Sequence, residues 1–106
     1  MTLAQRIRDV SLLTGTFVLR SGAISDAYFD KYLFESDPVL LEQIAQQMLP
    51  LIPPGTDILA GLEMGGIPVV TALSHATKLP AAYIRKEAKT YGTAKYAEGP
   101  LSLIHI

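Results

Sequence analysis

The chain has 106 residues, 49% of them hydrophobic, a formal net charge of −1 at pH 7 and no cysteine. It is too apolar for a disordered chain and long enough for one globular domain. The lack of cysteine excludes disulfides and thiolate metal sites. A near-neutral charge argues against a nucleic-acid partner. The sequence shows neither a signal peptide nor a membrane-spanning run, so we expect a cytoplasmic protein.

The first half of the chain predicts a helix, a hairpin and a second helix. Apolar residues recur at helical spacing over residues 2–13, and Gly15 is the expected helix stop. Residues 16–20 and 27–30 are rich in β-branched and aromatic residues, so they predict two antiparallel strands. Asp37-Pro38 then provides an N-cap and a first-turn proline for the next helix.

The second half predicts one βαβ unit. A short strand over residues 58–60 is followed by a glycine-rich turn over residues 61–66 and by an apolar helix from residue 67 to residue 76. The next strand is expected over residues 79–84. Strand, turn, helix and strand in this order predict parallel pairing with a right-handed crossover.

Two features of the βαβ unit indicate an anion site. The glycine turn exposes amides at a helix N-terminus, although it fits neither the dinucleotide-binding nor the Walker pattern. Taken alone, it is as consistent with a structural turn as with a phosphate site. A cationic segment over residues 85–95 follows the next strand and holds four of the nine Lys and Arg residues. Both loops are expected at one edge of the sheet, which favours phosphate binding.

The chain resembles orotate phosphoribosyltransferases, which are type I phosphoribosyltransferases. The resemblance covers residues 1–99 and is carried by four segments: TFVLRSG at 16–22, YFD at 28–30, GLEMGGIP at 61–68 and RKEAKTYGT at 85–93. It implies an α/β fold in which an N-terminal helix and a hood hairpin precede a truncated parallel-sheet domain. Residues 100–106 match nothing expected of the family, and we interpret them as a non-native tail.

The resemblance also implies a reaction and its partners. Members of this family transfer ribose 5-phosphate from phosphoribosyl pyrophosphate (PRPP) to orotate, giving orotidine 5′-monophosphate and pyrophosphate in pyrimidine biosynthesis. Mg²⁺ bound with PRPP and a homodimer are implied as well, with no nucleic acid or membrane as partner. The family's acidic pair and 5′-phosphate loop are absent from these 106 residues, so we expect the chain alone to be inactive.

Individual roles follow from the matched positions. The resemblance makes Lys89 the catalytic residue, on a mobile flap, and assigns pyrophosphate contacts to the backbone of the glycine turn and to the neighbouring cations. Arg20 and two aromatic residues of the hairpin would receive the orotate ring, and Tyr91 would make a supporting contact. The implied substrate-binding residues are Arg20, Tyr28, Phe29, Gly65, Gly66, Arg85, Lys86, Lys89 and Tyr91.

Simpler interpretations and other functions stay open at this point. Tyr28 and Phe29 taken singly are more often core aromatics, Arg20 is more often a solvated charge, and Glu63 could orient the glycine turn without touching substrate. A purine or uracil phosphoribosyltransferase is an alternative enzyme. A non-catalytic PRPP-binding regulator is an alternative from another class, although a regulator has no need of cations placed on a leaving group.

Overall fold

The computed structural model describes residues 1–87, 91–92 and 97–99, with residue 97 described by its backbone alone. The chain forms two compact units, Met1–Leu41 and a second that begins at Glu42. Each unit contains both helices and strands, and the second contains a parallel strand pair, so the predicted α/β class is confirmed. Within the described ranges, none of the helices is long and apolar enough to cross a membrane.

The first unit begins with helix α1, Leu3–Ser11, which a capping box holds at its start. The Thr2 hydroxyl accepts a hydrogen bond from the Gln5 amide at 3.1 Å, and the Gln5 side chain accepts one from the Thr2 amide at 2.9 Å. The prediction that the helix runs to residue 13 and stops at Gly15 is wrong. The backbone is already extended at Leu12, where the first strand begins.

Strands β1, Leu12–Val18, and β2, Ile24–Phe29, form the predicted antiparallel hairpin, displaced from the expected bounds. The register shifts between Thr14 and Phe17, so the ladder is irregular where Gly15 lies. Gly15 has φ of 151°, a backbone conformation that side-chain-bearing residues rarely adopt. This glycine therefore belongs to a bulge within the strand, and α1 ends without it.

Helix α2, Lys31–Glu35, was not predicted and follows the hairpin directly. The Asp30 carboxylate caps it by accepting a hydrogen bond from the Tyr32 amide at 3.0 Å. The fully buried Ser11 connects α2 to α1, because its hydroxyl accepts a hydrogen bond from the Phe34 amide at 3.1 Å. A buried hydroxyl thus satisfies a backbone N–H that would otherwise lack a partner.

Helix α3, Pro38–Met48, begins where the Asp37-Pro38 pair predicted. The Asp37 carboxylate accepts hydrogen bonds from the amides of Val39 and Leu40, at 3.0 and 3.1 Å. The helix ends at Met48, before the predicted break at residues 53–55, and a 3₁₀ turn over Leu49–Leu51 follows it.

The second unit contains β3, Leu59–Leu62, α4, Ile67–Thr77, β4, Ala81–Ile84, and β5, Ala97–Glu98. Strands β3 and β4 pair in parallel, as predicted, and β5 adds to β4 in the antiparallel direction. Helix α4 covers the sheet with the buried side chains of Val70 and Leu73, and Ala82 of β4 is fully buried. The sheet order β3-β4-β5 places the glycine turn and the residues that follow β4 side by side.

Candidate functional site

A tight turn over residues 63–66 joins the end of β3 to the start of α4. The Gly66 amide donates to the Leu62 carbonyl at 2.9 Å, and the Ile67 amide donates to the Met64 carbonyl at 3.1 Å. A Cβ on Gly66 would lie only 2.8 Å from the Leu62 nitrogen, so this position excludes any side chain. The turn is therefore packed closely against the end of β3, and its Glu63–Met64 peptide bond is cis.

The start of α4 has no side-chain cap. Gly66 is the N-cap residue and has no side chain that could accept a hydrogen bond, and Pro68 lies in the first turn. The Gly66 and Ile67 amides donate within the turn, so what the helix start offers an anion is the positive end of its dipole. Gly65 and Gly66 are half-buried, so the backbone of the turn stays accessible on one side.

The backbone of the residues that follow β4 lies beside this turn. The Glu63 amide donates to the Ile84 carbonyl at 2.8 Å. The Glu63 carboxylate in turn accepts a hydrogen bond from the Lys86 amide at 2.5 Å. The turn and the first residues of the cationic segment thus meet at one edge of the sheet, as predicted.

Arg85 is paired with Glu98 of β5. Its Nε lies 3.1 Å from the Glu98 carboxylate, and both side chains are about one third exposed, at 34% and 27%. The hydrogen bond that the Arg85 guanidinium donates to the Glu98 carboxylate raises the pKa of Arg85 above its ordinary value. The guanidinium therefore stays charged at every physiological pH and is held against the sheet.

A cavity of about 270 Å³ lies at this edge. It is bordered by two carboxylates, one guanidinium, and residues of α4 and β4. The lining residues are Glu63, Ile67, Thr71, Tyr83, Ile84, Arg85 and Glu98. Sequence reasoning assigned no role to Glu98, because only the antiparallel pairing of β5 with β4 brings it to Arg85.

The other predicted residues of this region are placed in part. Lys86 is exposed, and Tyr91 has 68% of its surface exposed. Lys89, the predicted catalytic residue, lies outside the described residues, and so do residues 100–106. In the part of the chain that is described, there is no group of three or more His, Cys, Asp or Glu side chains suited to a metal ion.

The three predicted orotate residues are all on the hairpin of the first unit but at opposite ends of it, because Tyr28 and Phe29 pair with Leu13 and Leu12 while Arg20 lies in the turn. Arg20 is exposed in the turn after β1, and Tyr28 and Phe29 are 45% and 48% exposed on β2. The Tyr28 ring packs against Phe17 with centroids 5.7 Å apart, and the Phe29 ring packs against Phe34 at 6.1 Å. Tyr28 and Phe29 are therefore half-exposed aromatics and not core residues.

Comparison with known proteins gives one consistent result. No protein-family model matches the chain. It is 58% identical over 99 residues to the orotate phosphoribosyltransferase of a Nocardioides species, covering 93% of this chain and 55% of that protein. It is 46% identical over 85 residues to the orotate phosphoribosyltransferase of Methanocella arvoryzae, covering 80% and 49% of the two chains.

A solved structure agrees with these relatives. The crystal structure of Mycobacterium tuberculosis H37Rv orotate phosphoribosyltransferase superposes with a TM-score of 0.75 and 31% identity, covering 93% of this chain and 58% of that one. The resemblance to orotate phosphoribosyltransferases is therefore confirmed in sequence and in fold. The chain spans about half the length of the curated relatives that it matches.

Proposed function

We propose that this chain is part of an orotate phosphoribosyltransferase, which transfers ribose 5-phosphate from PRPP to orotate and releases pyrophosphate. One observation carries the proposal: the glycine turn and the Arg85-Lys86 pair lie at the same edge of the sheet, joined through Glu63. The alternative enzymes act on purines or uracil, whereas the relatives described above are named for orotate.

The geometry suits the diphosphate of PRPP. In the proposed reaction the bond between C1 of the ribose and the diphosphate oxygen breaks, and the electron pair leaves with the diphosphate. A ring nitrogen of orotate forms the new bond to C1 and loses its proton, which the released diphosphate takes up. Negative charge grows on the leaving group, so amides and cations fixed beside it stabilise the transition state more than the substrate.

Lys86 and the turn of Gly65 and Gly66 would share the diphosphate between them. The turn contributes the positive end of the α4 dipole at a point where no side chain blocks approach, and Lys86 contributes an ammonium from the adjacent strand end. Arg85 is held by Glu98, so its guanidinium acts on the diphosphate from a fixed position. Lys89 would add a further cation from the flap.

The orotate end of the reaction would use the hairpin. Arg20 at the turn end and the two aromatics at the other end are separate candidates for the orotate contact, the first through its charge and the second through ring surface. Their partial exposure supports this role, because a stacking surface must remain open to its ligand.

Three further features follow from the family and belong to the same proposal. Magnesium enters with PRPP, bound by the phosphate oxygens of that substrate, which is the usual way proteins recruit this ion. The complete enzyme is a homodimer located in the cytoplasm. The inactivity of residues 1–106 alone stays a prediction.

The test is a turnover assay on the longer protein that carries this chain. PRPP, orotate and Mg²⁺ are supplied, and both orotate consumption and pyrophosphate release are measured. We expect Lys86→Gln to lower kcat/KM about a hundredfold, as loss of one transition-state donor does elsewhere. Lys78→Gln is the matched control, since Lys78 is an exposed lysine at the far end of α4. Turnover of adenine, guanine or uracil in place of orotate would contradict the proposal.

A further inference from the structure

We infer that Glu63 is a positioning residue: its carboxylate fixes the backbone of Lys86, and so sets the position of the cationic segment relative to the glycine turn. The inference rests on the proposed function and assigns a role to a residue that need not touch substrate. It gives a use to a carboxylate that would otherwise oppose diphosphate binding.

The parallel ladder shows what the carboxylate replaces. The Leu59 amide donates to the Pro80 carbonyl at 2.9 Å. Four residues later along each strand, the Glu63 amide donates to the Ile84 carbonyl at 2.8 Å. By the same alternation, the Lys86 amide would next donate to the backbone carbonyl of Glu63. It donates instead to the Glu63 carboxylate, at 2.5 Å.

The carboxylate takes the place of the backbone carbonyl because of the path of the chain at this point. The backbone turns away after β3 at Glu63, so regular pairing ends there, while the chain runs on from β4 to Arg85 and Lys86. The carboxylate reaches across the gap and extends the pairing by one step. Glu63 therefore holds the exit of β4 twice, through its own amide and through its side chain.

The position of this bond couples the two halves of the diphosphate site. Glu63 is the first residue of the turn, and Lys86 is one of the two cations. A cation that must meet a leaving group gains from being fixed beforehand, because a displacement of about 1 Å can lower the rate up to a hundredfold. Loss of the bond should therefore lower kcat.

The charge of Glu63 and its hydrogen bond have opposite effects, so the two can be separated. A carboxylate beside a diphosphate repels it, whereas the acceptor that positions Lys86 need not be charged. Glu63→Gln keeps an acceptor oxygen and removes the charge. Glu63→Ala removes both, and Glu63→Asp keeps the charge on a side chain one methylene shorter, which withdraws the acceptor from the Lys86 amide.

The experiment measures kcat and the KM for PRPP in these three variants of the longer protein, with Glu42→Ala and Glu42→Gln as controls at an exposed glutamate of α3. We expect Glu63→Ala and Glu63→Asp to lower kcat about tenfold, within the range for small displacements. Glu63→Gln should keep kcat within about twofold and lower the KM for PRPP, since a repelling charge is gone. Both Glu42 variants should match the unmodified protein.

A second readout does not depend on turnover. The proton of the Lys86 amide should resonate far downfield in NMR spectra because its acceptor is charged and close, and it should move upfield in Glu63→Ala and Glu63→Asp. If Glu63→Ala does not fold, Glu63→Asp decides the matter. The inference is overturned if kcat and the Lys86 amide resonance are unchanged in Glu63→Asp. If the unmodified protein turns over no orotate while the amide resonance still moves, the proposed function fails and the positioning contact stands.

Discussion

The hairpin of the first unit and the βαβ part of the second hold their candidate substrate residues by different means. Arg20, Tyr28 and Phe29 are carried by two strands, and apolar side chains on those strands stay open, with Val18 73% and Ile24 75% exposed. A two-stranded ribbon is only marginally stable without further packing. What fixes the hairpin in this unit is the buried Ser11, which lies just before β1 and accepts a hydrogen bond from the Phe34 amide.

In the βαβ part, backbone is packed directly against backbone. A Cβ on Gly61 would lie 2.6 Å from the Gly66 carbonyl oxygen and 2.6 Å from Val70 Cγ1. The turn cannot move away from β3 without opening this contact. The difference indicates that the proposed diphosphate site is built on closely packed backbone, whereas the proposed orotate residues are side chains on a hairpin with little packing around it.

The largest effect is expected from Gly61→Ala in the second unit. The added methyl would overlap backbone on one side and Val70 on the other, so the free energy of unfolding should fall by about 3 kcal/mol. Gly22→Ala is the matched control in the hairpin. It has open space and φ of 88°, and its cost is the left-handed backbone alone, about 1 kcal/mol.

Denaturant unfolding of both glycine variants would measure this difference. A larger loss for Gly22→Ala than for Gly61→Ala would mean that the close packing of the turn is not what stabilises the second unit.

A smaller effect is expected from Ser11→Ala in the first unit. The substitution leaves the Phe34 amide without its acceptor in a buried position, which should lower the free energy of unfolding by about 1–2 kcal/mol. Ser36→Ala is the control, because the Ser36 hydroxyl donates to the Leu33 carbonyl at 2.8 Å in an exposed setting. If both variants lose the same stability in thermal unfolding, the buried hydrogen bond of Ser11 is not what fixes the hairpin.

The smallest effect on stability is expected from Glu98→Gln, since the ion pair with Arg85 is partly exposed. The pKa of Arg85 is raised on folding, so its contribution is present in full below the pKa of the unfolded chain. That contribution is lost only as the pH rises through the still higher folded value. The difference in unfolding midpoint between the variant and the unmodified protein should therefore be the same at pH 7 and about pH 10. A difference that vanishes by pH 10 would show that another group is responsible.

Local signals in the sequence predicted the elements whose ends are set by neighbouring residues. Asp37 and Pro38 predicted the start of α3, because a cap and a fixed φ act within one turn. The glycine turn and the apolar run of α4 predicted the parallel unit in the same way. The meeting of the turn with Arg85 and Lys86 followed from the rule that parallel strands end at one edge.

The elements that were missed depend on contacts across the chain. Residues 12 and 13 continue the helical pattern of α1, yet their pairing with Phe29 and Tyr28 makes them strand. Strand β5 is only two residues long and exists through its pairing with β4. The contact between Glu63 and Lys86 joins residues 23 positions apart, and no periodicity indicates such a bond.

The parallel pairing of β3 and β4 also bears on the order in which the chain folds. The hairpin closes over the short turn between Val18 and Ile24, whereas each residue of β3 pairs with a residue of β4 that lies 22 positions away, as Leu62 does with Ile84. Closing the longer loop demands more chain entropy in advance, so the hairpin should form early and the parallel pair late. During synthesis the nascent chain would therefore complete the hairpin that carries the proposed orotate residues before the proposed diphosphate site exists.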